Sequence, residues 1–426
     1  MAAIAGLGLA VRLVYVLGFR RTLTPTGDAF YYHQGAILLA HGKGFIAPVQ
    51  YLALHTRLEA ADHPPLYILF LAIPTVVGLG STLAHLLWSA ALGTATVVVA
   101  GFLGRRVGGT RAGLITATIV AVSPTVWIYD GELLSETMAI FVVTVALLLA
   151  YRAWDRPTLT RACALGAGCG FAMLGRSELV LLVPALVWPV TMLAGRPPWR
   201  TRFVHAGAAT VVALVIVAPW VGYNLSRFQH PVFLSSQLEV TLAGSNCGDT
   251  YYGGNIGLFT QTCFARDPGN ERQEESVHAL ELRHIAEQYI RTHADRVPVV
   301  AATRVGRVLG LYHVGQQVDL DVFLERRERP LAIATLVAGY LLGIAALAGA
   351  VVVHRRRGPP VFPLVAVLAV TLLTVAATYG NDRFRAAGET ALAVLAAVAI
   401  DAAWRRLRVS RARPASPADT PGADRG

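Results

Sequence analysis

The chain has 426 residues, of which 54% are hydrophobic and only 15% charged, against about 25% charged in soluble domains. Its formal net charge is +11, which in a soluble protein would suggest a nucleic-acid partner. Here the arginines sit in short clusters between apolar runs, as the positive-inside rule places them in membrane proteins, so nucleic acid is set aside.

The apolar runs approach the ~20 residues needed to span hydrocarbon. They predict an all-α polytopic membrane protein, a bundle of about ten transmembrane helices. Expected spans are 2–19, 82–103, 112–128, 134–151, 161–175, 178–194, 204–222, 330–353, 361–379 and 389–404. The first has no basic n-region and no small-residue cleavage site after it, so it reads as a retained helix and not a signal peptide. It carries Arg12 in mid-span. That residue would meet a lipid phosphate, pair with an acid, or snorkel. The apolar piece 65–79, between His63-Pro64-Pro65 and Gly78-Leu79-Gly80, is short for a span and suits a re-entrant or interfacial helix.

Charge decides the threading. If 65–79 does not cross, the clusters around Arg105, Arg152, Arg196 and His354 and the tail from Arg405 all share one side. The hinge Asp130-Gly131-Glu132 and the long stretch 223–329 then lie on the other side. This satisfies the positive-inside rule throughout, and predicts a cytoplasmic-membrane protein with both termini cytoplasmic. Four regions follow: a transmembrane module 1–222 with external loop 20–81, an external loop domain 223–329, C-terminal helices 330–404, and a cytoplasmic tail 405–426. The tail is Pro/Ala/Asp-rich and expected to be disordered. No repeat of fixed period is present.

Cys163 and Cys169 fall in an apolar segment and read as inert small hydrophobes. Cys247 and Cys263 lie in the polar stretch of loop 223–329, ahead of a polar helix from about Glu271 to Thr292. An external loop permits a disulfide between them. There is no CxxC and no His-rich metal spacing.

The polar hinges carry the candidate chemistry. Thr24-Pro25-Thr26-Gly27-Asp28 precedes a helical run, Phe30–Ala40, so Asp28 is either a helix cap or a carboxylate favoured by the helix dipole. Glu132 and Glu136 are four apart and would share a helix face. Glu136 lies a turn inside the apolar region, where an ionisable group faces a cavity or a partner. Arg176 in Gly175-Arg176-Ser177-Glu178, and Arg383 and Arg385 in Asn381-Asp382-Arg383-Phe384-Arg385, are cations on the side where few are expected. They either snorkel or hold an anion such as phosphate with the guanidinium fork. His63 belongs to a turn or to a site.

The order of these motifs resembles the GT-C fold membrane glycosyltransferases, in the branch of the dolichyl-phosphate-mannose protein mannosyltransferases and the lipid A aminoarabinose transferases. The resemblance rests on Gly27-Asp28-Ala29-Phe30-Tyr31-Tyr32, His63-Pro64-Pro65-Leu66-Tyr67, Ser135-Glu136, Arg176 to Pro184, and Arg383-Phe384-Arg385. It covers roughly 1–222 and 360–404 and leaves loop 223–329 unmatched. It implies transfer of a sugar from a polyprenyl-phosphate donor to an acceptor hydroxyl on a glycan, lipid or protein. Asp28 would be the base and Glu136 its catalytic neighbour. Glu132, His63 and Tyr32 would orient the acceptor or a divalent cation, and Arg176, Arg383 and Arg385 would hold the donor phosphate. The competing classes are a transporter or lipid-linked sugar flippase, with a site near the midplane between inverted repeats, and a non-enzymatic scaffold.

Overall fold

A computed structural model describes residues 1–195, 197–264, 273–356 and 358–411. Among them every regular element is helical, and the only bridge between extended segments joins Ile46 to Glu59. Helix α1 (Ala2–Tyr15) continues as a π turn to Arg20. The following loop holds α2 (Gly27–Ala40) and α3 (Pro48–Ala53), and then α4 (Leu66–Val76). Helices α5 (Thr82–Gly108) and α6 (Thr110–Val122) pack as a hairpin, and α7 (Pro124–Trp127) with the 3₁₀ turn after it bends 61° away from α6. Helices α8 (Glu136–Asp155), α9 (Leu159–Gly175), α10 (Trp188–Leu193) and α11 (Trp199–Leu225) complete the first half. Four smaller helices cover one end: α12 (Gln237–Ser245), α13 (Gly248–Tyr251), α14 (Glu275–Thr292) and α15 (Val297–Val308). The chain closes with α16 (Val314–Leu324), α17 (Arg329–Arg355), α18 (Phe362–Ala377) and α19 (Glu389–Arg411).

Six helical segments are long and apolar enough to cross a membrane: Ala2–Arg20, Thr82–Gly108, Glu136–Asp155, Trp199–Leu225, Arg329–Arg355 and Asp382–Arg408. The bent pair from Thr110 to Gly131 makes a seventh. The protein is a multi-pass membrane protein. Leu159–Gly175, Ser177–Leu193 and Phe362–Ala377, three of the ten expected spans, are shorter apolar helices. The middle one is irregular for a physical reason. Pro184 and Pro189 each lack a donor, and the segment passes through 3₁₀, π and α turns in succession.

Two expected boundaries move. The polar helix begins at Glu275, while Glu271 lies outside the described residues, as do Arg196 and Arg357 of the basic clusters. Residues 405–411 of the expected disordered tail are the last turns of α19; residues 412–426 lie outside the described residues.

The core centres on α8 and α19, whose span windows are 67% and 72% buried, against 22% for α1. Tyr67, Val143, Leu147, Leu186, Val367 and Val394 meet there, while Val14, Leu214 and Leu347 point outward. Helices α9 and α11 touch through small residues, the usual route to close helix packing in lipid. A Cβ at Gly166 would come within 2.0 Å of the Ala209 carbonyl oxygen, so glycine is required there. Arg12 neither snorkels nor meets lipid. It is fully buried and donates to Asp130 at 2.6 Å and to the Gly8 carbonyl at 3.0 Å.

Candidate active site

The ends of several helices bring acids and bases to one place. Gly27 opens α2 at φ 53°, a region that favours glycine. The cap position is Thr26, and no side chain caps this end. Asp28 is therefore no cap. Its Oδ2 accepts from Nη2 of Arg383 at 2.9 Å, and its Oδ1 lies 3.7 Å from Nε2 of His63.

Arg383, in the 3₁₀ segment leading into α19, also donates to Glu136 Oε1 at 2.9 Å and to Glu325 Oε1 at 3.1 Å. Glu136 begins α8, and the same oxygen accepts from Arg176 at 2.7 Å. Arg176 follows the last residue of α9, donates to Glu178 at 2.5 Å, and lies over the Phe384 ring, 5.3 Å from its centre. Asp28, Arg383, Glu136 and Arg176 thus form one unbroken chain of ion pairs, although they are up to 355 residues apart. These four line a cavity of about 770 Å³ together with Tyr32, His63, Ser135, Tyr379 and Phe384. Its other wall comes from residues 230–239, Thr241 and α14.

Burial works to raise the Asp28 carboxyl, but Arg383 and His63 outweigh it and hold the group well below the usual carboxylate range. The Asp28 side chain is 38% exposed, and it lines the cavity. His63 stacks on Tyr32, ring centres 4.7 Å apart, and meets Tyr31 edge-on. Burial lowers its pKa, yet Asp62 and Asp28 raise it more, so the imidazole is shifted upward. Burial pushes the Tyr379 phenol up to about 12.

A second acidic contact holds the far wall in place. Glu275, the first residue of α14, accepts from the Ala61 backbone N–H at 2.8 Å and from Ser236 Oγ at 2.5 Å. Burial and the neighbouring Asp62 push its carboxyl up to about 8. The contact ties the loop helix to the segment that carries His63.

Two of the expected site residues lie elsewhere. Helix α8 starts only at Glu136, and Leu133 before it has φ 54°, so Glu132 and Glu136 share no helix face. Glu132 is bound by Arg327 at 2.7 and 3.1 Å and lies 3.6 Å from Arg20. Arg327 also holds Asp321 and Asp382. Arg385 donates to Glu389 at 2.6 Å and packs against Gly339. Neither Glu132 nor Arg385 lines the cavity. Both serve buried ion pairing, so acceptor orientation by Glu132 and phosphate binding by Arg385 do not fit the geometry. Among the described residues no group of three or more His, Cys, Asp or Glu is arranged to hold a metal ion. Cys247 and Cys263 form a disulfide with Cα atoms 5.7 Å apart, and Cys163 and Cys169 are free thiols.

The sequence did not point to Glu325, Tyr379, Glu239 or Arg283. Glu325 sits in the charge run Glu325-Arg326-Arg327-Glu328-Arg329, which reads as a solvated hinge. Folding buries Arg327 completely and turns Glu325 onto Arg383. No periodicity announces that. Glu239 and Arg283 were hidden in a loop without a motif.

The fold so assembled is similar to that of solved membrane oligosaccharyltransferases. Residues 62–223 match the family model of dolichyl-phosphate-mannose-protein mannosyltransferase. No curated protein matches the chain. Among solved structures, the archaeal oligosaccharyltransferase AglB from Archaeoglobus fulgidus, in complex with an inhibitory peptide and a dolichol-phosphate, superposes with a TM-score of 0.59 at 15% identity, over 96% of this chain and 51% of that one. The Archaeoglobus fulgidus oligosaccharyltransferase tethered with an acceptor peptide via a disulfide bond gives a TM-score of 0.57 at 17% identity, over 96% and 50%. ArnT from Cupriavidus metallidurans bound to undecaprenyl phosphate gives 0.46 at 15% identity, over 95% and 79%. The chain spans about half the length of the archaeal enzyme it matches.

Proposed function

We propose that this protein is a membrane glycosyltransferase that moves a sugar from a polyprenyl-phosphate donor to an acceptor hydroxyl. The observation that carries the proposal is the Asp28–Arg383–Glu136–Arg176 chain on a cavity among membrane helices. The family-model match and the dolichol-phosphate in the archaeal relative support the donor class.

In the proposed reaction the acceptor oxygen attacks the anomeric carbon and the carbon–oxygen bond to phosphate breaks. Polyprenyl phosphate leaves with the bonding electrons, and the acceptor proton passes to Asp28. The phosphate monoester is a good leaving group, so the protein must supply cations for its charge and a base for the hydroxyl. Arg176 and Arg383 are the cations. With Arg383 bound, Asp28 is a poor base. A phosphate that takes hydrogen bonds from Arg383 weakens its hold on Asp28 and raises the basicity of that carboxylate, which links donor binding to base activation. Glu136 holds both arginines at the correct spacing. The apolar flank, including Val180, Leu181 and Ala377, accepts the start of the lipid tail.

The proposed topology has ten crossings, with the site on the external face and both termini cytoplasmic. Helix α4 has 11 residues, about 16 Å at 1.5 Å per residue, and is too short to cross ~30 Å of hydrocarbon. The test is transfer of labelled sugar by the purified, detergent-solubilised protein from polyprenyl-phosphate mannose, glucose or arabinose. Release of polyprenyl phosphate with label in an acceptor supports the proposal; no consumption of any donor refutes it.

A further inference from the structure

The cavity that Asp28 lines holds a second polar feature. Glu239, in the first turn of α12, is only 7% exposed. Arg283 of α14 donates to its Oε1, while its Oε2 has no hydrogen-bond partner among the described residues. Both side chains line the cavity. A buried carboxylate oxygen without a donor is costly, and native proteins satisfy such atoms with a ligand or water. The segment entering α12 adjoins the arginine site, because Ser235 donates to Ser177 at 3.3 Å, one residue beyond Arg176.

We infer that Glu239 is a recognition residue for a sugar hydroxyl, its free oxygen accepting a hydrogen bond from that hydroxyl. The inference rests on the glycosyltransferase proposal and adds a subsite to it. Arg283 offsets the charge of Glu239, so the pair does not call for a cationic ligand; it calls for a neutral donor. The neighbouring wall suits a polyol. Thr241 lines it with a hydroxyl that can give and accept hydrogen bonds. Ser236 and Ser276, whose protons go to Glu275 and Glu274, add hydroxyl acceptors. Phe233, with Phe384 beside the arginines, adds apolar ring faces. A carbohydrate offers matching chemistry, hydroxyls at its rim and C–H faces for the aromatics. The hydroxyl belongs either to the donor's sugar or to a carbohydrate acceptor, and the two are separable by experiment.

The experiment measures steady-state kinetics of wild type and Glu239→Gln. Donors are polyprenyl-phosphate mannose, glucose and arabinose, and acceptors are methyl α-mannoside and a serine-containing peptide. Inhibition by sugar-free polyprenyl phosphate and the thermal midpoint are read alongside. The expected result is a rise of about 10- to 100-fold in one KM, the range for losing a hydrogen bond to a charged group, with inhibition by polyprenyl phosphate unchanged. A rise in donor KM places the donor's sugar at Glu239; a rise in glycoside KM places the acceptor there. If Glu239→Gln does not fold, Glu239→Asp keeps the charge one methylene shorter and raises the same KM several-fold. Both KM values within twofold of wild type overturn the inference, as does use of the peptide alone with unchanged donor KM. Failure of wild type to consume any donor instead removes the glycosyltransferase proposal.

Discussion

Asp28→Asn separates chemistry from architecture. Asn keeps the size of the side chain but takes up no proton at neutral pH. The structure predicts a small effect on folding. Asp28 is 38% exposed, so its screened pair with Arg383 contributes less than about 1 kcal/mol. The substitution strands no charge, because Arg383 keeps Glu136 at 2.9 Å and Glu325 at 3.1 Å. Loss of a general base costs ~100- to 10,000-fold, or about 3–5 kcal/mol of barrier at 1.36 kcal/mol per tenfold. The assay is transfer of labelled sugar at saturating donor, beside a thermal midpoint and a measurement of donor binding. The expected outcome is that turnover collapses while the midpoint holds and donor affinity does not fall, because phosphate no longer competes with a carboxylate for Arg383. Arg383→Gln should behave differently. It leaves three carboxylates facing one another and costs about 3–5 kcal/mol of stability, as breaking a buried pair does. Wild-type turnover in Asp28→Asn would refute the base assignment; loss of folding would show that the ion-pair arithmetic is wrong.

Four further outcomes are expected. Arg12→Leu strands the buried Asp130 without its cation and should cost about 3–5 kcal/mol, most of which Arg12→Leu/Asp130→Asn restores; equal unfolding midpoints for the single and double variants would contradict this. Reducing the Cys247–Cys263 bridge, 16 residues apart, should lower stability by ~3 kcal/mol on the chain-entropy account, read as a drop in thermal midpoint with reductant that Cys247→Ser does not show. Glu275 titrates in the folded protein near 8, above its unfolded value, so its contribution is complete below about pH 4.5 and is lost as pH rises through 8; melts from pH 6 to 9 should show a fall in wild type and a flatter profile in Glu275→Gln. A cysteine at Thr110 should be labelled only from the cytoplasmic side of intact cells, and labelling from outside would invert the proposed topology.

The sequence alone determined the solvent of this protein and where its polar residues could go. Runs such as 82–103 and 204–222 are long and apolar enough to cross a membrane, and arginine clusters on one set of hinges predict an orientation. Asp28, Glu136, Arg176 and Arg383 were legible because each interrupts an apolar pattern at a hinge, where an ionisable group is expensive and needs a reason. What the sequence could not decide was which of those charges would meet. Glu132 and Glu136 have the spacing of one helix face, but the backbone turns at Leu133 and sends Glu132 to Arg327. Arg383 and Arg385 are two apart and look equivalent. One lines the cavity and bridges Asp28, Glu136 and Glu325, while the other closes a local pair with Glu389. Pairing of this kind is a long-range choice, set by which helix ends pack together and carried by no periodicity in the chain. The same holds for Glu239, which reads as an ordinary loop acid until α12 and α14 fold over the cavity. Local pattern tells a residue whether it may be buried; only the packed helices supply its partner.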